Sequence, residues 1–141
     1  MPIIRLASLA RDLQQENEGA TVASTRWGSD VTYTVRSDEY APFVQARTAA
    51  LERHRRLNGT APLATAAFVD LFGRLVSDHL LLGWSGFDVL WTPVIATATL
   101  VNPAYMDVLS DVLSAAAGVG KGRVEYLEDV GKNSDSASVG S

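Results

Sequence analysis

At 141 residues the chain has room for one modest domain. A net charge of −4 argues against nucleic-acid binding by bulk electrostatics, and the absence of cysteine excludes disulfides and thiolate metal sites. The 47% hydrophobic content and 20% charge are those of an ordinary globular protein.

Residues 1–20 begin apolar, with Ile3, Ile4, Leu6, Leu9 and Leu13, and turn polar between Gln14 and Gly19. The spacing of Leu6, Leu9 and Leu13 predicts a short amphipathic turn or helix. Met1–Arg5 lacks a basic start followed by a long apolar run, so no secretory leader is expected. From Ala20 to Arg36 the composition turns β-like: Thr21-Val22-Ala23 and Val31–Arg36 flank the turn residues Trp27-Gly28-Ser29-Asp30. Val31, Tyr33 and Val35 alternate with Thr32, Thr34 and Arg36, giving one apolar face. A lone hairpin is marginal in water, so this one must pack on helices or pair with another copy.

Ser37 is a candidate N-cap for a helix starting between Asp38 and Pro42 and running to about Leu57, stopped by Asn58-Gly59. Phe43, Ala46, Ala50, Leu51, His54 and Leu57 form its expected buried stripe. Arg53, Arg55 and Arg56 near its end complement the helix dipole, which accounts for the basic run without a nucleic acid. The longest helix is expected over 63–82, with Phe68, Phe72, Leu75, His79 and Leu82 on one arc and Asp70, Arg74 and Asp78 opposite. Those charges rule against a membrane span. Gly83 is read as the residue that stops this helix, and Trp84 as an aromatic covering its end. Thr92-Pro93 and Asn102-Pro103 are N-cap–proline starts for two further helices. The second carries Tyr105, Val108, Leu109, Val112 and Ala116 on one side and Asp107, Ser110, Asp111 and Ser114 on the other, and ends at Gly118. One or two helical turns are expected over 123–129, and a disordered tail over 132–141.

No catalytic constellation stands out. His79 reads as a structural, partly buried residue, and the two histidines lack metal-binding spacing. Gly118-x-Gly120-Lys121 follows a helix and lacks the phosphate-loop pattern. Asp107 and Asp111 read as carboxylates on a solvated face. The expected class is therefore mainly α with a small N-terminal β-hairpin, an α+β domain over 1–131 that needs no cofactor or metal and is not an enzyme.

The order of several pieces resembles the tail assembly chaperones of long-tailed, siphovirus-like bacteriophages and prophages. These are Asp12-Leu13 with Glu18-Gly19, Tyr33-Thr34-Val35-Arg36, the helix with Phe43 and Arg47, and Leu80-Leu81-Leu82-Gly83-Trp84-Ser85-Gly86-Phe87. Thr92-Pro93, Asn102-Pro103-Ala104-Tyr105, and Glu128-Asp129 before Lys132-Asn133-Ser134 complete the set. The resemblance implies a transient assembly factor in the host cytoplasm, absent from the mature virion. It would bind the tape measure protein, keep it soluble, recruit tail tube subunits, and self-associate around its client, with no nucleic acid or membrane involved. Candidate partner contacts are Trp27, Tyr33, Phe87 and Trp91, with Arg53, Arg55 and Arg56 on a rim. The competing expectation is a structural virion component such as a head–tail connector or tail completion protein. A small DNA-binding regulator using the helix of Arg47–Arg56 ranks below both.

Overall fold

The computed structural model describes residues 2–127. In chain order the elements are β1 (Ile3–Ile4), a 3-10 turn (Leu6–Leu9), α1 (Leu13–Glu18), β2 (Ala20–Ala23), β3 (Thr32–Val35), α2 (Ala41–Asn58) and α3 (Thr65–His79). They continue with β4 (Leu81–Ser85), α4 (Pro93–Leu100), a 3-10 turn (Pro103–Tyr105), α5 (Met106–Gly118) and β5 (Tyr126–Leu127). The expected class is what forms: helices predominate and the β content is small and antiparallel. The segment expected as a disordered tail, 132–141, lies outside the described residues.

The chain divides into two units. In the smaller, β1 pairs antiparallel with β5, Ile3 opposite Leu127 and Ile4 opposite Tyr126. The Ser8 hydroxyl donates to the Arg5 carbonyl at 2.6 Å and accepts from the Glu125 N–H at 2.9 Å, which fixes the register. Helical turns were expected over 123–129; the described part of that segment is extended instead. Gly120, with φ +72°, and Gly122 break the helical path after α5, and Val124 and Tyr126 favour extended backbone.

The larger unit runs from Leu13 to Gly120. Its sheet has the order β2-β3-β4, all antiparallel. The third strand corrects the expected helix over 63–82, because α3 ends at His79 and Leu81–Ser85 pairs with β3. Gly83 therefore stops nothing; it sits opposite Thr34, and Trp84 sits opposite Tyr33. The physical reason is the marginality of a two-stranded hairpin. A third strand satisfies the free edge of β3 and lets Leu80 and Leu81 be buried.

The buried face of α3 is also turned relative to expectation. Val69, Gly73, Leu75 and Val76 are buried, whereas Phe68 is exposed and stacks on half-buried Phe72 at 4.6 Å between centroids. Gly73 explains the rotation. A Cβ there would run into the Leu100 carbonyl, 2.5 Å from its carbon, so α3 and α4 approach with no side chain between them at that point. Ser77 and Thr97 hydroxyls meet at 2.6 Å along the same crossing. Asp70 and Arg74 form the expected i,i+4 pair on the outside, at 3.3 Å.

Thr92 and Asn102 are N-caps as expected, their side-chain oxygens accepting from the N–H groups of Ile95 and Ala104. Ser37 is not; Tyr40 holds the cap position of α2, while Ser37 is buried and accepts from the Glu39 N–H. Of the stripe expected on α2 only Phe43 is fully buried, and Leu51 and Leu57 face solvent. The core lies between the sheet and α3, α4 and α5, with Tyr33, Val35, Phe43, Val69, Val76, Leu80, Leu100, Leu109 and Val112 fully buried.

Candidate functional site

Arg36 and Asp111 each join separate elements of the larger unit. Arg36 donates through Nε to the Asn17 carbonyl at 2.8 Å and through Nη1 to the His79 carbonyl at 3.1 Å. Those carbonyls belong to the ends of α1 and α3, where orphan acceptors and the negative dipole end favour a cation. The guanidinium also lies 4.7 Å from the centroid of the Tyr40 ring.

Asp111, expected on a solvated face, is only 4% exposed. Its carboxylate accepts from the hydroxyls of Ser24 at 2.5 Å, Tyr33 at 2.7 Å and Thr25 at 3.1 Å, and from the Arg26 N–H at 3.3 Å. Burial alone would raise its pKa. The hydrogen bonds from Ser24, Tyr33, Thr25 and the Arg26 N–H outweigh that and hold it below the ordinary carboxylate value. Tyr33 moves the other way: burial first, then its bond to Asp111 and that residue's charge, push the phenol far above its ordinary value, against a small pull down from Ser24. One turn earlier on α5, Asp107 pairs with Arg26 at 3.1 Å. The helix therefore grips the turn at two points.

The gripped turn carries Trp27. The Ser24 hydroxyl also accepts from the N–H groups of Arg26 and Trp27 at 3.1 and 2.8 Å, closing the turn tightly. The Trp27 ring meets the edge of Phe87 at 6.3 Å between centroids. Phe87 is the hub of an aromatic group, 6.3 Å from Tyr33 and 5.4 Å from Trp84 in edge-to-face contact. Gly86 makes this possible: its φ is +98°, and a Cβ there would strike the Asp30 carbonyl. The Trp84 indole N–H donates to the Val89 carbonyl at 2.8 Å, pinning the loop that leads to α4.

Of the residues expected at a partner contact, the structure brings Trp27, Tyr33 and Phe87 together and adds Trp84. Tyr33 is 0% exposed, so it braces the group from below and presents nothing to a partner. Trp27 is 42% exposed. Trp91 is half-buried against the core. Leu90, which sequence reading passed over, is 86% exposed. Arg53, Arg55 and Arg56 are exposed on α2, and no ring contact or ion pair among the described residues links them to the aromatic group. Arg55 is held by both Glu52 carboxylate oxygens at 2.7 Å. His54 bridges the Ala61 carbonyl and Asn58, and the Gly120 N–H is taken by the Gln15 side chain. Among the described residues no three acidic or histidine side chains gather around a point where a metal could bind, and no helix is long and apolar enough to cross a membrane.

Fold and site together define a small α+β domain with a braced aromatic edge next to an exposed leucine. No family model, curated protein or solved structure matches the chain.

Proposed function

We propose that this chain is a non-catalytic phage tail assembly chaperone. In the host cytoplasm it binds the tape measure protein, keeps it soluble and promotes tail tube assembly. The observation that carries the reading is the aromatic edge: exposed Trp27, Val89 and Leu90 lie on or beside a turn held by the Asp111 network and a loop held by the Trp84–Val89 hydrogen bond, with half-buried Phe87 against the Trp27 ring. Large apolar side chains left exposed on a rigid support suit the capture of an amphipathic helix, because little ordering is needed on binding. The resemblance of residues 8–134 to tail assembly chaperones supplies the identity of the client. Several residues that carry it have clear structural work: Gly86 turns the chain into Phe87, Trp84 pins the loop, and Arg36 joins two helix ends.

The test is co-expression with a fragment of the tape measure protein from the same phage. The client's soluble fraction should rise and the two chains should co-purify, and mass spectrometry of purified particles should find this chain absent or at trace level. A client equally soluble alone, with no complex recovered at any salt, defeats the reading. A stoichiometric signal in particles moves it to a structural virion component.

A further inference from the structure

A second surface lies between the last half of α2, the segment that follows it and the first half of α3. It is a groove of about 460 Å³ lined by the aliphatic side chains of Ala49, Ala50, Leu57, Leu63 and Leu71 together with Arg53, His54 and Asn58. Leu57 is 72% exposed, although the residue was expected to be buried. On α2, positions 49, 53 and 56 fall on one stripe at i, i+4 and i+7, so Arg56 stands beside Arg53 along the same rim. Both guanidiniums are exposed, and among the described residues neither has an ion pair, whereas Arg55 is neutralised by Glu52 and Asp70 across the groove by Arg74.

We propose that the α2–α3 groove is a docking site for an acidic amphipathic helix of a partner protein. Small residues at 49 and 50 let a helix approach closely, and the leucines accept its apolar stripe. The guanidiniums of Arg53 and Arg56, which have no ion pair among the described residues, select carboxylates flanking that stripe. The lining favours protein over nucleic acid because its floor is aliphatic and its one ring, that of His54, is held by the Ala61 carbonyl and Asn58. A second copy of this chain fits less well, since most of its helix-surface acids are already held, Glu52 by Arg55, Asp70 by Arg74 and Asp107 by Arg26, which leaves Asp78 on α3 without the run of carboxylates the rim would select. The inference does not depend on the chaperone reading, which concerns the aromatic edge.

The probe is a fluorescein-labelled peptide of about three helical turns, with leucines at i, i+3, i+4 and i+7 and glutamates elsewhere. Fluorescence anisotropy should show binding to the full chain that weakens as salt rises. The R53E/R56E variant, checked for an unchanged circular dichroism melt, should bind about tenfold more weakly. A peptide with lysine in place of glutamate should show the reverse preference, binding the variant better than the parent. That charge-swapped recovery separates docking from a purely structural role. Binding of neither peptide, equal binding of both by the parent, or tighter binding of duplex DNA than of the acidic peptide overturns the proposal. Dimers that R53E/R56E breaks and that exclude the peptide overturn it in favour of self-contact.

Discussion

Replacing Asp111 by alanine should cost the fold far more than a polar residue on a helix surface would. The substitution removes the acceptor for the Tyr33 and Ser24 hydroxyls, both of which are buried. A buried donor left without a partner costs about 1–3 kcal/mol, so two of them cost about 2–6 kcal/mol. Set against a total stability of about 5–15 kcal/mol for a domain of this kind, that is a large fraction. Tyr33→Phe removes one donor and leaves the carboxylate its other partners, so its cost should be only about 1–2 kcal/mol. The two changes should also be strongly non-additive, because the phenol has no bond left to lose once Asp111 is gone. Urea unfolding of the parent, both single variants and the double variant, followed by tryptophan fluorescence, measures all four corners of the cycle. An Asp111→Ala variant within about 0.5 kcal/mol of the parent, as at an ordinary surface site, would refute the reasoning. Simple additivity would refute the pairing.

The same network sets a pH window. With its pKa depressed in the fold, Asp111 contributes stability that is present above the unfolded value of about 3.9 and lost as pH falls through the folded one. Tyr33, with its pKa raised, contributes stability that is present below about pH 10 and lost as pH rises beyond it. Melting temperature should thus fall on both limbs, and Tyr33→Phe should flatten the alkaline one. Gly73→Ala places a methyl group against the Leu100 carbonyl and should destabilise by at least about 1–3 kcal/mol in the same urea assay. Arg36→Ala releases two helix-end carbonyls and should cost about 1.5–3 kcal/mol, with Arg36→Lys recovering only part because an ammonium cannot fork between them. Trp84→Ala should lower the melting temperature strongly through loss of the Phe87 and Val89 contacts.

Local grammar was the legible part of the sequence. Thr92-Pro93 and Asn102-Pro103 act as caps because capping depends on a few neighbouring atoms, and the alternation of Val31, Tyr33 and Val35 was enough to place an apolar strand face. What failed depended on tertiary pairing. Leu80–Trp84 reads as the end of a helix until β3 offers it an unsatisfied edge, and nothing within that stretch announces the edge. Asp111 shares its helix with Ser110 and Ser114 and looks solvated. Its partners lie more than 75 residues away in sequence, and Ser24-Thr25 carried no signal beyond a hydroxyl-rich turn. Gly73 sat unremarked inside a helical pattern, although a glycine there has a cost that only a close backbone crossing explains. The aromatic edge was half legible. Trp27 and Phe87 were singled out for size, but the exposure of Leu90 and the burial of Tyr33 follow from how the turn is held.

The central claim is that the exposed side chains of the aromatic edge, Trp27 and Leu90, bind the client and are dispensable for the fold. The direct measurement is the affinity of a fluorescently labelled tape measure helix for the parent and for a Trp27→Ser, Leu90→Ser double variant, taken beside their thermal melts. The account predicts binding at least about tenfold weaker, the scale on which exposed aromatic anchors act, with little change in melting temperature. Unchanged affinity in a variant that melts like the parent would contradict it.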